Sequence, residues 1–242
     1  MSAYRTLASP VEAEIEVRRS RFLARVERVE DEESARAVVD RARRRHHDAR
    51  HHCSAFLLGD PAGPELVARS SDDGEPSGTA GAPILEVLRG RGDSAGQVGA
   101  AGTSGTTGTA GATGIATPLS DVVAVVTRWF GGTLLGTGGL VRAYGGAVRA
   151  ALDQAATVQR TLVWDVVVES AVAEAGRLDN DLRSRGFAVV GVDYRGDAVL
   201  LHLGVPDDRL ERLHEAVAQA TAGRGAVTTG GERWVDEEPA WH

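Results

Sequence analysis

Asp72, Asp73 and Glu75 place three carboxylates within four residues, in the stretch Ser70-Ser71-Asp72-Asp73-Gly74-Glu75-Pro76-Ser77-Gly78-Thr79-Ala80-Gly81. Carboxylates this close could hold Mg²⁺, a hard cation that takes oxygen ligands, or supply a general base. Their spacing is not that of an EF-hand loop. The same residues can also form a tight turn, with Asp and Ser side chains bonding the backbone and Pro76 and Gly78 shaping it. Turn, ligand contact and metal site all remain open on these residues. Within the stretch, Asp72, Asp73, Gly74, Glu75 and Thr79 are the candidate contacts to a partner or ligand.

A second stretch runs Val126-Thr127-Arg128-Trp129-Phe130-Gly131-Gly132-Thr133-Leu134-Leu135-Gly136-Thr137-Gly138-Gly139-Leu140-Val141-Arg142-Ala143-Tyr144-Gly145. A glycine-rich loop here leaves a strand and opens a helix. The first N–H groups of a helix lack partners inside it, so an anion can sit there. The candidate anion ligands are Gly131, Gly132, Gly136, Thr137, Gly138 and Gly139, with Arg128 and Arg142 supplying charge. Glycine allows close approach and positive φ, and the guanidinium fork suits phosphate. Arg149 stands seven residues beyond Arg142 and shares its helix face. The loop is not a Walker A motif, since no Lys-Ser/Thr follows, nor a clean dinucleotide fingerprint. A turn that needs glycine only for packing is the competing reading.

A third, weaker cluster is Arg50-His51-His52-Cys53-Ser54-Ala55, with Arg19-Ser20-Arg21-Phe22 upstream. His47 and His51 stand at i, i+4, a spacing that zinc sites use. No second cysteine or acidic ligand completes such a site, so no metal is expected. Arg21 and His51 are the contact candidates from this cluster. Cys53 opens a predicted strand and reads as a small buried hydrophobe.

These residues must be positioned by a scaffold, and the apolar pattern outlines one. Val11–Val17 alternates as a strand, with Phe22–Val29 as its partner. Asp31, Glu32 and Glu33 precede Ala35, Val38, Val39 and Ala42, which is helical spacing with acids at the favoured end. Ser54–Leu58 and Glu65–Arg69 are short strand candidates, and Pro83 is expected at the first position of a short helix through Leu88. Val122–Val126 is nearly continuous in apolar residues, as in a strand covered on both faces. The helix after the glycine loop carries Leu140, Ala143, Tyr144, Ala147 and Ala151 on its core face. Gly145 and Gly146 fall inside it at about 1 kcal/mol each relative to alanine, so a neighbouring strand is expected to approach there. Past Leu152 the order is strand (Leu162–Val168), helix ending at Gly186, strands Phe187–Tyr194 and Ala198–Val205, a helix opened by Asp207-Asp208, and strand Ala226–Val235. That βαββαβ order is ferredoxin-like.

Residues 90–118 differ in kind: glycine recurs every third residue from Gly99 to Gly114 among alanines and threonines. The triplets carry no proline, so they are not collagen. Such composition cannot offset its chain entropy by burial, and an insertion without packed contacts is expected.

The bulk numbers bound the function. With 242 residues and 42% hydrophobic content, the chain can bury one or two cores. A net charge of −7 argues against a uniformly basic nucleic-acid coat but allows a local basic patch. All 27 basic residues are arginine, so no lysine can form a Schiff base or serve a P-loop. A single cysteine excludes an internal disulfide. Met1–Phe22 has no run of signal-peptide character and no segment reaches membrane-span length. A cytoplasmic location without membrane contact is the expectation.

The three motifs together are similar to the signature of the IMPACT (YigZ) family, over roughly residues 10–155. The resemblance implies an N-terminal domain like the second domain of ribosomal protein S5, over residues 1–158. It also implies that the ferredoxin-like domain, residues 159–242, resembles a domain of elongation factor G. Eukaryotic members regulate translation, and bacterial members are suggested to bind nucleic acid. Many members carry Tyr where this chain has Trp129, and Lys where it has Leu134. The expected protein is a two-domain α/β (α+β) chain, without cofactor, that contacts RNA, the ribosome or a translation factor through the first two motifs. The alternative is a hydrolase or transferase that uses Asp72, Asp73 or Glu75 with the glycine loop in one cleft.

Overall fold

The computed structural model describes residues 2–90 and 118–236. The glycine-every-third stretch expected as an insertion lies outside the described residues. The chain divides into two compact units, one over Tyr4–Gln159 and one from Arg160 onward together with the first residues of the chain.

The first unit is built on a five-stranded sheet in the order β2–β3–β6–β4–β5, with every neighbouring pair antiparallel. The strands are β2 (Val11–Val17), β3 (Ser20–Arg28), β4 (His51–Leu58), β5 (Val67–Ser71) and β6 (Val122–Trp129). The central strand β6 explains its own composition. Val122, Ala124 and Val126 face α2 (Gly81–Gly90) and α3 (Thr137–Leu152), while Val123 and Val125 face α1 (Glu32–Arg45). A strand roofed on both faces has no reason to alternate apolar with polar, and this one does not.

Local signals set the helix ends. At α1, the Asp31 carboxylate accepts the Ser34 N–H, and the Ser34 hydroxyl accepts the Asp31 N–H, a reciprocal cap. Helix α2 begins at Gly81, so Pro83 is its third residue rather than its first. Its cap comes from a distance: Asp72 Oδ1 accepts the N–H groups of Ala80 and Gly81 at 3.0 and 2.8 Å. Within α3, Gly145 lies against Val87 and the Pro83 carbonyl of α2, while Gly146 lies against Ile15 of β2. The close neighbour at Gly145 is therefore a helix and not the expected strand, because α2 and α3 cross on the same face of the sheet.

One further strand, β1 (Ala3–Leu7), escaped the periodicity argument. Tyr4, Thr6 and Leu7 are all buried in it, and a buried threonine breaks the apolar alternation. Arg5 bonds the backbone on either side of Leu119, and the Tyr4 hydroxyl donates to Asp121.

The second unit has the order β7 (Thr157–Ala171), α4 (Val172–Ser184), β8 (Ala188–Arg195), β9 (Ala198–Val205), α5 (Leu210–Thr221), β10 (Ala226–Asp236). Its strands pair antiparallel as β8–β9–β7–β10, the ferredoxin-like arrangement. Leu178, Leu182, Leu213 and Val217 of the two helices pack on Val166, Val168, Leu201 and Leu203. No helix among the described residues is long and apolar enough to cross a membrane.

Candidate functional site

Sheet register assembles the first unit's distinctive residues at one end of the sheet. On β6, the face turned toward α2 and α3 reads Val122, Ala124, Val126 and then Arg128. Pairing sets Phe22 on one side of Arg128 and His51 on the other. The apolar face thus ends in a charged row, and the glycine loop crosses beside it. The Arg128 guanidinium is 5.4 Å from the Phe22 ring and 5.6 Å from the Phe130 ring.

A cleft of about 370 Å³ opens at this row, lined among others by Arg50, His51, Glu75, Arg128, Phe130 and Thr137. Leu134, Leu135, Gly136 and Leu140 supply the remainder of its glycine-loop wall. The acidic turn meets the loop through Glu75 and Pro76. Glu75 Oε1 accepts from Arg128 Nη1 and, at 2.8 Å, from the Tyr144 hydroxyl. Both members of the ion pair are deeply buried, with side chains 4% and 6% exposed. Arg128 Nε is also buried and has no hydrogen-bond partner among the described residues. A buried ion pair is weak evidence for stability, since desolvation can exceed the Coulombic gain.

His51 is held in a defined orientation. Its Nδ1 lies 2.8 Å from the Asp73 carbonyl oxygen, which can only accept, so Nδ1 carries the hydrogen. The neutral ring then has its lone pair on Nε2, which lies 3.9 Å from Glu75 Oε1. The turn that aims the carbonyl is left-handed at both Asp73 (φ 45°) and Gly74 (φ 87°). A non-glycine residue there is uncommon and aspartate is among those that tolerate it. A Cβ on Gly74 would make ordinary contact with the His51 ring at 3.5 Å, so it is the angle that favours glycine there.

The other carboxylates point elsewhere. Asp72 accepts from the N–H groups of Gly78, Ala80 and Gly81 at 2.8–3.0 Å. Burial pushes the Asp72 carboxyl up, but these three hydrogen bonds outweigh it and hold it below the ordinary carboxylate range. Asp73 accepts from Arg43 Nη2 at 2.8 Å and from the His52 N–H at 2.7 Å. The three acids therefore do not converge, and among the described residues no group of three or more His, Cys, Asp or Glu could hold a metal ion. Thr79 is buried and donates to the Pro76 carbonyl at 2.6 Å. Cys53 is fully buried, donates to the Asp72 carbonyl, and burial pushes its thiol up to about 12.

The arginines also separate. Arg128, expected as a free phosphate ligand, is neutralised by Glu75. Arg142 and Arg149 line a different groove, between α2 and α3, with Pro83, Glu86 and Val87. The expected trio fails because β6 ends under the sheet's roof while the helix carries its arginines on the outer side. Arg21 pairs with Glu14 and lies 4.6 Å over the Trp129 ring. Trp129 in turn donates to Asp48 at 2.9 Å.

The loop glycines divide by role. A Cβ on Gly131 would fall 2.0 Å from the Arg19 carbonyl group, so backbone approach alone demands glycine there. Gly132 and Gly136 have positive φ and nothing within 4 Å of a Cβ. Gly136 is the N-cap of α3 and offers no side-chain cap, so the first N–H groups of a 16-residue helix keep no such partner. Gly138 lies near Arg142 Nη1, and Gly139 packs on Leu135. Sequence reasoning missed Arg50, Phe130 and Leu135 as cleft residues. Arg50 adjoins His51, and its N–H donates to the Arg128 carbonyl at 3.0 Å. Only the sheet register could have shown that.

A five-stranded antiparallel sheet carrying this cleft, followed by a βαββαβ unit, defines a two-unit α+β protein. Residues 18–100 and 100–152 match the Impact N-terminal domain, and residues 173–224 match a domain of unknown function, DUF1949. The IMPACT family member YvyE of Bacillus subtilis (strain 168) is 31% identical over 230 residues, covering 95% of this chain and 92% of the relative. The IMPACT family member YigZ of Escherichia coli (strain K12) is 32% identical over 223 residues, covering 92% and 96%. A crystal structure of a hypothetical protein superimposes with a TM-score of 0.56 at 31% identity, covering 94% of this chain and 97% of that one. The chain belongs to the IMPACT family.

Proposed function

We propose that this protein is a translation-associated binding protein that grips single-stranded RNA by a phosphate in the cleft between the acidic turn and the glycine loop. One observation carries the reading: every carboxylate of the turn is engaged by a neighbour, while Arg50, the bare start of α3 and a half-exposed Phe130 share one cleft. Arg50 and the helix N–H groups suit a phosphate. Phe130 suits a stacked base, a contact that tolerates any sequence. Leu134, 81% exposed at the rim, leaves out the cation that many relatives carry, so the grip should be modest. The family resemblance supplies the translation setting, in which ribosomal or messenger RNA is the available single strand.

The test is RNA binding by the full chain over a salt series. Affinity should fall steeply with added salt, because each neutralised phosphate releases counterions. Arg50→Ala should weaken binding and reduce the magnitude of the log–log slope by about 0.7, the value for one phosphate contact on a single strand. Phe130→Ala should weaken binding with the slope unchanged. Absence of binding even at low salt overturns the reading, and a translation factor then becomes the partner to test.

A further inference from the structure

The binding reading uses Arg50, Phe130 and the start of α3 but leaves His51 unexplained. Its Nδ1 hydrogen is committed to the Asp73 carbonyl, so its lone pair sits on Nε2. No residue among those described hydrogen-bonds Nε2, whose nearest ionic neighbour, Glu75 Oε1, is beyond hydrogen-bond reach at 3.9 Å. Glu75 itself is held by Arg128 and Tyr144 and cannot turn to occupy that nitrogen without breaking a buried ion pair. The His51 side chain is 17% exposed and lines the cleft. An imidazole with a fixed tautomer, an open basic nitrogen and a carboxylate placed to stabilise the imidazolium is the arrangement of a general base. The left-handed backbone at Asp73 that aims the carbonyl is an outlier of the sort that collects at functional sites.

We propose that the cleft is an acid–base site as well as a binding site, in which His51 Nε2 removes the proton from a ribose 2′-hydroxyl of the bound RNA. The proposal rests on the reading of the cleft as an RNA site. RNA supplies what the geometry requires, a hydroxyl one ribose bond away from a phosphate. The proton passes to Nε2, and the 2′-oxygen attacks the adjacent phosphorus. The bond from O2′ to phosphorus forms and the bond from phosphorus to O5′ breaks. The departing O5′ takes a proton from solvent water, and the hydroxide left behind takes the proton back from His51. The products are a 2′,3′-cyclic phosphate and a 5′-hydroxyl, with no oxidant or reductant involved. Arg50 and the start of α3 line the same cleft, where they would bear the charge that builds on the equatorial oxygens of a bound phosphate. Arg128 Nε, buried without a partner beside the same cleft, is a further donor available to that charge. The charged groups that share the cleft with His51 are Glu75, Arg128 and Arg50.

The experiment uses the full chain, an end-labelled oligouridylate and a chelator. Cleavage is measured in single turnover with the protein in saturating excess over the RNA, so that changes in affinity drop out. Wild type should yield 2′,3′-cyclic phosphate ends, and a 2′-O-methyl oligomer should remain intact. The rate should rise with pH in wild type and lose that rise in His51→Asn. His51→Asn keeps a donor for the Asp73 carbonyl and lacks the base, so it should fold and lose at least about 100-fold in rate, the low end of a general base's contribution. His51→Ala, checked for native melting, should lose as much. If the wild type binds the oligomer and never cuts it, the acid–base inference fails and the binding reading stands. If His51→Asn cuts as fast as wild type, the inference also fails. If nothing is bound, both readings fall together.

Discussion

Removing the Glu75 carboxylate isolates the most consequential interaction in the cleft. The side chain is 4% exposed and its Oε1 serves two donors, Arg128 Nη1 and the Tyr144 hydroxyl. In Glu75→Ala the guanidinium stays buried without its counter-charge, next to an Nε that already lacks a partner. Breaking a buried pair in this way costs about 3–5 kcal/mol. The Tyr144 hydroxyl loses its acceptor as well, but that loss of about 1–3 kcal/mol overlaps the first and should not be added in full. At 1.4 kcal/mol per factor of ten, a loss of 3–5 kcal/mol raises the opening equilibrium roughly 150- to 4,000-fold. The double variant Glu75→Leu with Arg128→Met removes both charges and keeps apolar volume under the cleft. It should regain most of the loss, because neither charge then has to be desolvated. The assay is native-state hydrogen exchange read on peptides from β6 and α3, which reports the first unit alone. If Glu75→Ala costs less than about 1 kcal/mol, or if the double variant loses the sum of what Glu75→Leu and Arg128→Met lose singly, the two groups are not coupled.

Other expectations follow from single contacts. Asp72 has its folded ionisation held down by three backbone N–H groups, so its stabilisation is present above the unfolded value of about 3.9. It is lost as pH falls through the lower, folded value. Melting temperature should therefore hold from neutral pH to about pH 4 on this account and drop below it, and Asp72→Asn should be less stable at neutral pH and show a shallower drop. Gly131→Ala would force a Cβ to within 2.0 Å of the Arg19 backbone, so it should prevent native melting, whereas Gly132→Ala meets open space and should cost only the left-handed penalty of about 1–2 kcal/mol. Circular-dichroism melts of the two variants distinguish a contact requirement from an angular one. Residues 159–242 expressed alone should unfold cooperatively, since one apolar cluster joins both helices to the strands.

Elements whose composition answers to burial were legible. The nearly unbroken apolar run of β6 predicted a strand roofed on both faces, and it is: α2 and α3 cover one face and α1 covers the other. The capping acids of α1 and the βαββαβ order of the second unit were equally plain, because they depend on spacing within a few residues. Strand β1 was not legible, because its buried positions include Thr6. Strand β5 was placed two residues early, since Ser70 and Ser71 at its end are exposed on a sheet edge and carry no apolar signal. The start of α2 was misplaced because its cap, Asp72, stands nine residues before Gly81 and belongs to another motif.

The candidate site was legible as composition and not as chemistry. Both motifs were visible as unusual strings, yet their residues sort by contacts that spacing does not carry. Asp72 and Asp73 stand side by side in sequence, and one caps a helix while the other holds Arg43 and the His52 N–H. Glu75, two residues on, goes instead to an arginine at position 128. Arg128 and Arg142 looked like one patch on the chain, but a strand end under a roof and the outer side of a helix lie in separate clefts. His51 looked like half of a zinc pair with His47. Strand pairing with β6 places it next to Arg128 instead, and a left-handed turn 22 residues downstream fixes its proton. What decides whether a polar residue in this protein is cap, counter-ion or base is the partner that the sheet register delivers to it. Register is a long-range property, set where β3, β4 and β6 exclude water together, and that is the level at which the chemistry of this cleft is written.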